Sequence, residues 1–189
     1  MISNEFYKKI LHITLGPLLF ISVLWIVQIV NALAFNQGLA VFGIYPRTLH
    51  GLIGIFFAPF LHGSYAHLIG NSSMLLLLSV IICFNDIKLW IKSMLFGTFV
   101  GGLITWLVGF PSYHIGASIL VFSLLGTILG IAIFHKKIFF IIATFFLLSL
   151  YGLSMFSGLI PQHGISFAGH LGGLLSGFAC ARQLRYNKT

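Results

Sequence analysis

The sequence predicts an all-α polytopic membrane protein: a bundle of six transmembrane helices with a half-buried outer loop between the first two. Three observations carry this. The 189 residues are 59% hydrophobic and only 6% charged, against about 25% charged in an ordinary soluble domain. Six stretches are apolar enough to serve as spans, for which about 20 residues are needed. The basic residues fall almost entirely on one side of the membrane when those six stretches are taken as spans.

The first span is residues 10–34, with Lys8 and Lys9 ahead of it. No clear small-residue cleavage site follows, so it reads as a retained helix rather than a signal peptide. Residues 36–65 are different. Their apolar run at 51–61 is short and broken by glycine and proline, which suits an interfacial or re-entrant segment. The second span is 66–84, closed by the turn-forming Asn85 and Asp86. The third is 91–108, followed by a Gly109–Ser112 turn, and the fourth is 116–134. Lys136 and Lys137 separate it from the fifth, 138–159. A second turn-rich stretch, 157–163, leads to the sixth span, 166–181. No second domain or repeat is visible, so the expectation is one membrane domain over 1–189 with short cytoplasmic ends at 1–9 and 182–189.

Of the ten basic residues, Arg47 alone lies opposite the side holding Lys8, Lys9, Lys88, Lys92, Lys136, Lys137, Arg182, Arg185 and Lys188. The excess of Lys and Arg on one side sets orientation and places both termini in the cytoplasm. The net charge of +8 thus needs no nucleic-acid partner, and the cations form no basic stripe interleaved with aromatics.

Glu5 and Asp86 are the two side-chain carboxylates. Chemistry that needs paired carboxylates in the membrane is excluded, including aspartyl proteolysis and di-iron sites. No Glu follows a His, which removes the zincin pattern. Cys83 and Cys180 make no CxxC.

Polar side chains inside spans are costly and often functional. His67 and Asn71 stand near the outer end of the second span, Ser118 near that of the fourth, and His170 near that of the sixth. Counting from Asn71 to Lys88, from Ser118 to Lys136 and from His170 to Arg185 at about 1.5 Å per residue puts each of these three roughly 22–27 Å from the cytoplasmic boundary. Three helices therefore bring polar groups to one level. A serine beside a histidine can act as nucleophile and general base. Both carboxylates belong on the other side, so a triad is unavailable and any serine hydrolase here must use a Ser–His dyad. His67 and Asn71 share a helix face. Both can donate to an oxyanion, as can the Ser118 N–H at a helix N-terminus. Ser118, Phe122, Gly126 and Gly130 recur at steps of four, and His170, Gly173, Gly177 and Ala181 at steps of three or four. Such spacing packs membrane helices closely. Read without chemistry, the glycines are ordinary packing and the histidines are satisfied core residues or metal or haem ligands.

The His62, His67, Asn71 pattern, the Gly116-Ala-Ser118 motif and the Gly169-His170 motif followed by Gly173 and Gly177 together resemble the rhomboid family of intramembrane serine proteases. They occur in the family's order and spacing, over essentially the whole chain after the first few residues. The resemblance implies Ser118 as nucleophile and His170 as base and then acid. It implies His67 and Asn71 as oxyanion stabilisers, and Phe122 as the ring stacked on the catalytic histidine. It implies no cofactor and no metal. It also implies transmembrane protein substrates, a lipid surround and the minimal form found in the bacterial plasma (inner) membrane. Two positions depart from the family. Ile119 stands where glycine commonly follows the serine, and Ile53 and Gly54 stand where a Trp-Arg pair commonly anchors the outer loop. His12, His50, His135 and His163 are read as interfacial or loop residues, His114 as a loop residue, and His62 as structural within the outer loop. Competing readings are a catalytically inactive relative that binds client transmembrane helices, and a small transporter or haem protein that uses the histidines.

Overall fold

The computed structural model describes residues 4–162 and 164–184. The side chains of Glu5, Lys8, Lys9 and His12, and residues His163, Arg185 and Lys188, lie outside the described set. Eight α-helical segments follow in order: α1 Asn4–Ala34, α2 Leu49–Phe57, α3 Tyr65–Asn85, α4 Ile87–Phe96, α5 Gly102–Val108, α6 Ser118–Phe134, α7 Ile138–Ser157 and α8 Phe167–Arg182. A π-helical turn, Gly97–Gly101, joins α4 to α5 as one continuous rod. Among the described residues the one extended pairing is an isolated bridge between Ile44 and His114. The chain is an all-α polytopic membrane protein.

Capping explains where several helices start. Ser64 accepts the His67 N–H at 3.1 Å, Asp86 accepts the Lys88 N–H at 2.8 Å, and Ser166 accepts the Gly169 N–H at 3.1 Å. Each satisfies a donor that a helix N-terminus leaves without a partner. Asp86 therefore starts the third rod at Ile87, ahead of the residue 91 expected from apolarity alone. Lys88 is exposed near the start of this rod, and the Lys92 ammonium lies over the Phe96 ring, 5.6 Å from its centroid. The loop at 36–65 contains the short helix α2, capped by Thr48.

Among the described residues four helices are long and apolar enough to cross a membrane: Ile13–Ala34, Tyr65–Asn85, Ile87–Val108 and Ile138–Ser157. The helices α6 and α8 have 17 and 16 residues. They are central, and 13 of the 17 residues of α6 are buried. Apolar side chains such as Leu33, Phe145 and Leu153 are 82, 75 and 92% exposed on the outer helices, as lipid-facing residues are.

The glycines of α6 and α8 do what their spacing predicts. A methyl group added at Gly173 would strike the Ile119 carbonyl, and one at Gly177 would strike the Ser123 carbonyl. On the facing helix, one at Gly126 would strike the Leu174 carbonyl. The two backbones are in direct contact. Buried hydroxyls join them to α4: Ser123 donates to the Ser93 carbonyl at 2.8 Å, and Ser176 donates to Ser123 Oγ at 3.2 Å.

The loop before α2 is anchored without the Trp-Arg pair at 53 and 54. Arg47 donates to the carbonyls of Leu107 and Gly109 at 3.1 and 2.9 Å, where α5 ends. The Trp106 indole donates to the Thr48 carbonyl at 2.8 Å. A cation on the last carbonyls of a helix also suits its dipole.

Candidate active site

The N-terminal ends of α3, α6 and α8 meet at the end of the bundle opposite Lys88, Lys136 and Arg182. Ser118 is the first residue of α6 and is 8% exposed. It follows Gly116, whose φ of +115° places it outside the helix in backbone space that favours glycine. Gly116 is also needed for space. A methyl group there would lie 2.6 Å from His67 Cε1 and 3.4 Å from Asn71 Nδ2. The two side chains expected to act as donors therefore close around the backbone that leads into Ser118.

Asn71 is buried and its Nδ2 has no hydrogen-bond partner. A buried donor without an acceptor is unfavourable, and it is tolerated where an acceptor arrives later. His67 is half-buried, with its ring 5.0 Å from that of His62. His62 accepts the Ala117 N–H on Nε2 at 3.3 Å. It thus holds the loop that leads into Ser118 rather than only the outer loop. Burial, reinforced by His67, pushes the His62 imidazole down to about 4. The Phe60 carbonyl opposes that shift without reaching hydrogen-bond geometry to the buried Nδ1.

His170 sits in the first turn of α8. Its ring stacks on Phe122, one turn below Ser118, with centroids 4.3 Å apart and an interplanar angle of 15°. Its Nδ1 lies 2.7 Å from the carbonyl of Gly158, at the end of α7. A carbonyl oxygen can only accept, so Nδ1 carries the proton and Nε2 of the neutral ring keeps its lone pair. Among the described residues no hydrogen bond joins Ser118 Oγ to His170. The structure brings Ser118, His170, His67 and Asn71 to one end of the bundle and leaves the Ser–His contact open.

A small cavity beside Ser118 is lined by Thr105, His114, Gly116, Ser166 and Gly169, among others. Among the described residues no group of three His, Cys, Asp or Glu could hold a metal ion. Asp86, as the cap of α4, stands at the opposite end. Sequence reasoning missed three supports: the Gly158 carbonyl on His170, the bond from Ala117 to His62, and the seating of His114. A backbone carbonyl leaves no trace in residue types. His114 did leave a signal, since it precedes Ser118 by one helical turn's worth of residues.

The fold and the polar groups at its one end define a multi-pass membrane protein with a candidate hydrolytic centre. The chain belongs to the rhomboid family: residues 49–187 match the Rhomboid domain. It is 33% identical over 174 residues to an uncharacterized protein of Mycobacterium tuberculosis, covering 87% of this chain and 72% of that one, and equally to one of Mycobacterium bovis. An uncharacterized protein of Mycobacterium leprae is 32% identical over 176 residues, covering 87% of this chain and 68% of that one. No solved structure matches.

Proposed function

We propose that this protein is an intramembrane serine protease that hydrolyses a peptide bond in or near the transmembrane segment of its substrates. One observation carries the reading: the Gly158 carbonyl holds His170 Nδ1–H at 2.7 Å, which leaves Nε2 free to act as a base. In a triad a carboxylate does this orienting. Here a backbone carbonyl and the stacked Phe122 ring take its place. Ser118 Oγ attacks the carbonyl carbon while Nε2 of His170 takes the hydroxyl proton. The oxyanion accepts hydrogen bonds from Asn71 Nδ2, His67 and the Ser118 N–H. The imidazolium then gives its proton to the departing amine, and a water molecule repeats the sequence to release the acyl group.

The whole chain acts as one domain in a bacterial plasma membrane. Lys88, Lys92, Lys136, Lys137 and Arg182 mark the cytoplasmic end, so the site opens near the outer face. The open Ser118–His170 contact also fits a relative that binds client helices without cutting them. The two readings separate in one experiment. The purified protein is treated with a fluorophosphonate probe, and cleavage of a single-span substrate is followed in detergent and in liposomes. Labelling and cleavage are expected to require both Ser118 and His170. Substrate binding with no labelling of the parent protein would select the client-binding reading.

A further inference from the structure

A second serine and a second histidine lie beside the first pair. His114 precedes Ser118 by four residues, and Ser166 precedes His170 by four. His114 Nδ1 and Ser166 Oγ are 2.6 Å apart, and His114 Nε2 is 3.0 Å from the Phe110 carbonyl. The protons can be assigned. The carbonyl only accepts, so Nε2 carries the proton and Nδ1 is the acceptor. Ser166 therefore donates its hydroxyl to His114, while its oxygen accepts the Gly169 N–H at 3.1 Å. The result is one chain of hydrogen bonds: Gly169 N–H to Ser166, Ser166 to His114, His114 to Phe110.

This chain needs a neutral His114. Burial pushes its imidazole below the ordinary histidine value, with the Phe110 carbonyl opposing. The backbone of His114 is pinned as well, since it exchanges both hydrogen bonds with Ile44, at 2.9 and 3.0 Å. The ring packs against Gly109 at the end of α5, where a side chain would not fit: a methyl group there would lie 2.7 Å from Nε2. His114 and Ser166 also line the cavity that Ser118 lines. One side chain thus joins the loop that delivers the nucleophile to the cap of the helix that delivers the base.

We infer that His114 and Ser166 form a clasp that sets the position of Ser118 relative to His170, and that they are positioning residues for the proposed hydrolysis. The inference rests on Ser118 and His170 being the reacting pair. The open Ser118–His170 contact makes their relative placement the quantity that a clasp would govern. A misplacement of about 1 Å can cost about 10²-fold in rate. Loss of the clasp is expected to lower kcat about tenfold with KM unchanged, because it misplaces the reacting groups without removing one that the proposed mechanism uses to hold substrate.

The test uses the full chain in detergent with a fluorophosphonate probe and a single-span substrate. His114→Phe keeps an aromatic ring, slightly larger, and removes both side-chain bonds, leaving Ser166 free to cap α8. Ser166→Ala removes the clasp from the other side, and Ser166→Thr restores the hydroxyl. Expected are about tenfold losses in kcat and in labelling rate for the first two, recovery in Ser166→Thr, and a double variant no worse than the poorer single one. If His114→Phe does not fold, the Ser166 pair alone decides by the same comparison. Ser118-dependent activity that survives both substitutions unchanged overturns the clasp and leaves the protease reading standing. Losses that multiply in the double variant also overturn it. Labelling that is lost in Ser166→Ala but kept in Ser118→Ala overturns both, making Ser166 the nucleophile.

Discussion

The contact between α6 and α8 and the seating of α7 are opposites. Most of α6 is buried, and its backbone touches α8 directly at Gly126, Gly173 and Gly177. Of the 20 residues of α7, three are buried: Phe140, Leu147 and Met155. The spanning window of α7 is 17% buried. Its ring contact with α3, Phe84 on Phe139 at 5.6 Å, is at the end remote from the site. The proposed nucleophile, Ser118, and the proposed base, His170, are thus carried by two helices whose backbones touch. What α7 contributes is one carbonyl, from Gly158, at its site end. Direct backbone contact is unforgiving of displacement, whereas a helix held by lipid-facing side chains can swing. The arrangement puts Ser118 and His170 on helices in direct backbone contact and leaves the acceptor for His170 Nδ1–H, the Gly158 carbonyl, at the end of a sparsely buried helix.

Breaking the tight side should have the largest effect. Gly177→Leu would drive a side chain into the Ser123 carbonyl. Overpacking costs about 1–3 kcal/mol or more, and here no neighbouring side chain can yield. The variant is expected to lose both folded yield and activity. A monodisperse, fully active Gly177→Leu protein would show that α6 and α8 are not locked.

Next is the donor already in place. Asn71→Ala should lower kcat by about 10²-fold with KM unchanged, the lower end for loss of an oxyanion donor, since His67 and the Ser118 N–H remain. The measurement is steady-state cleavage of a single-span substrate. A raised KM with normal kcat would make Asn71 a substrate-binding residue.

The third effect is set by pH. His62 is depressed from 6.5 to about 4 in the folded state. Between those values the unfolded chain binds a proton that the folded one refuses, so stability is full above about 6.5 and is lost as pH falls toward 4. The loss is on the order of 3 kcal/mol at most. The Tm in detergent should fall over this window, and His62→Phe should flatten that part of the profile. An identical slope in the variant would assign the loss to another group.

On the loose side, Gly158→Ala places a methyl group 2.9 Å from His170 Nδ1 and 3.1 Å from Phe122 Cζ. The end of α7 can give way, so the Tm should change little. The base would lose its orienting carbonyl, and kcat should fall about tenfold, roughly the cost of about 1.4 kcal/mol. A large drop in Tm would mean that α7 is held as firmly as α8. Smallest of all is Gly152→Ala in the middle of α7, where the nearest atom, Leu148 Cβ, lies at 3.8 Å. It should leave kcat unchanged and stabilise the helix by less than about 1 kcal/mol.

The sequence alone determined the membrane class, the order of the apolar helices and the glycine contact between the fourth and sixth of the expected spans, and it singled out Ser118, His170, His67 and Asn71 as the candidate set. The reason is that apolar length, helical period and the cost of intramembrane polar groups act on residue types and can be read from them. It also expects neither carboxylate near Ser118, and Asp86 does sit at the far end as a helix cap. Only the tertiary structure decided what the His170 ring meets instead. The Gly158 carbonyl, the Arg47 contacts to the end of α5 and the bond between His114 and Ser166 join segments far apart in the chain. Each depends on a backbone atom or on a loop whose course is fixed by packing. Residue identity encodes which groups can donate or accept, and the fold alone decides which of them meet.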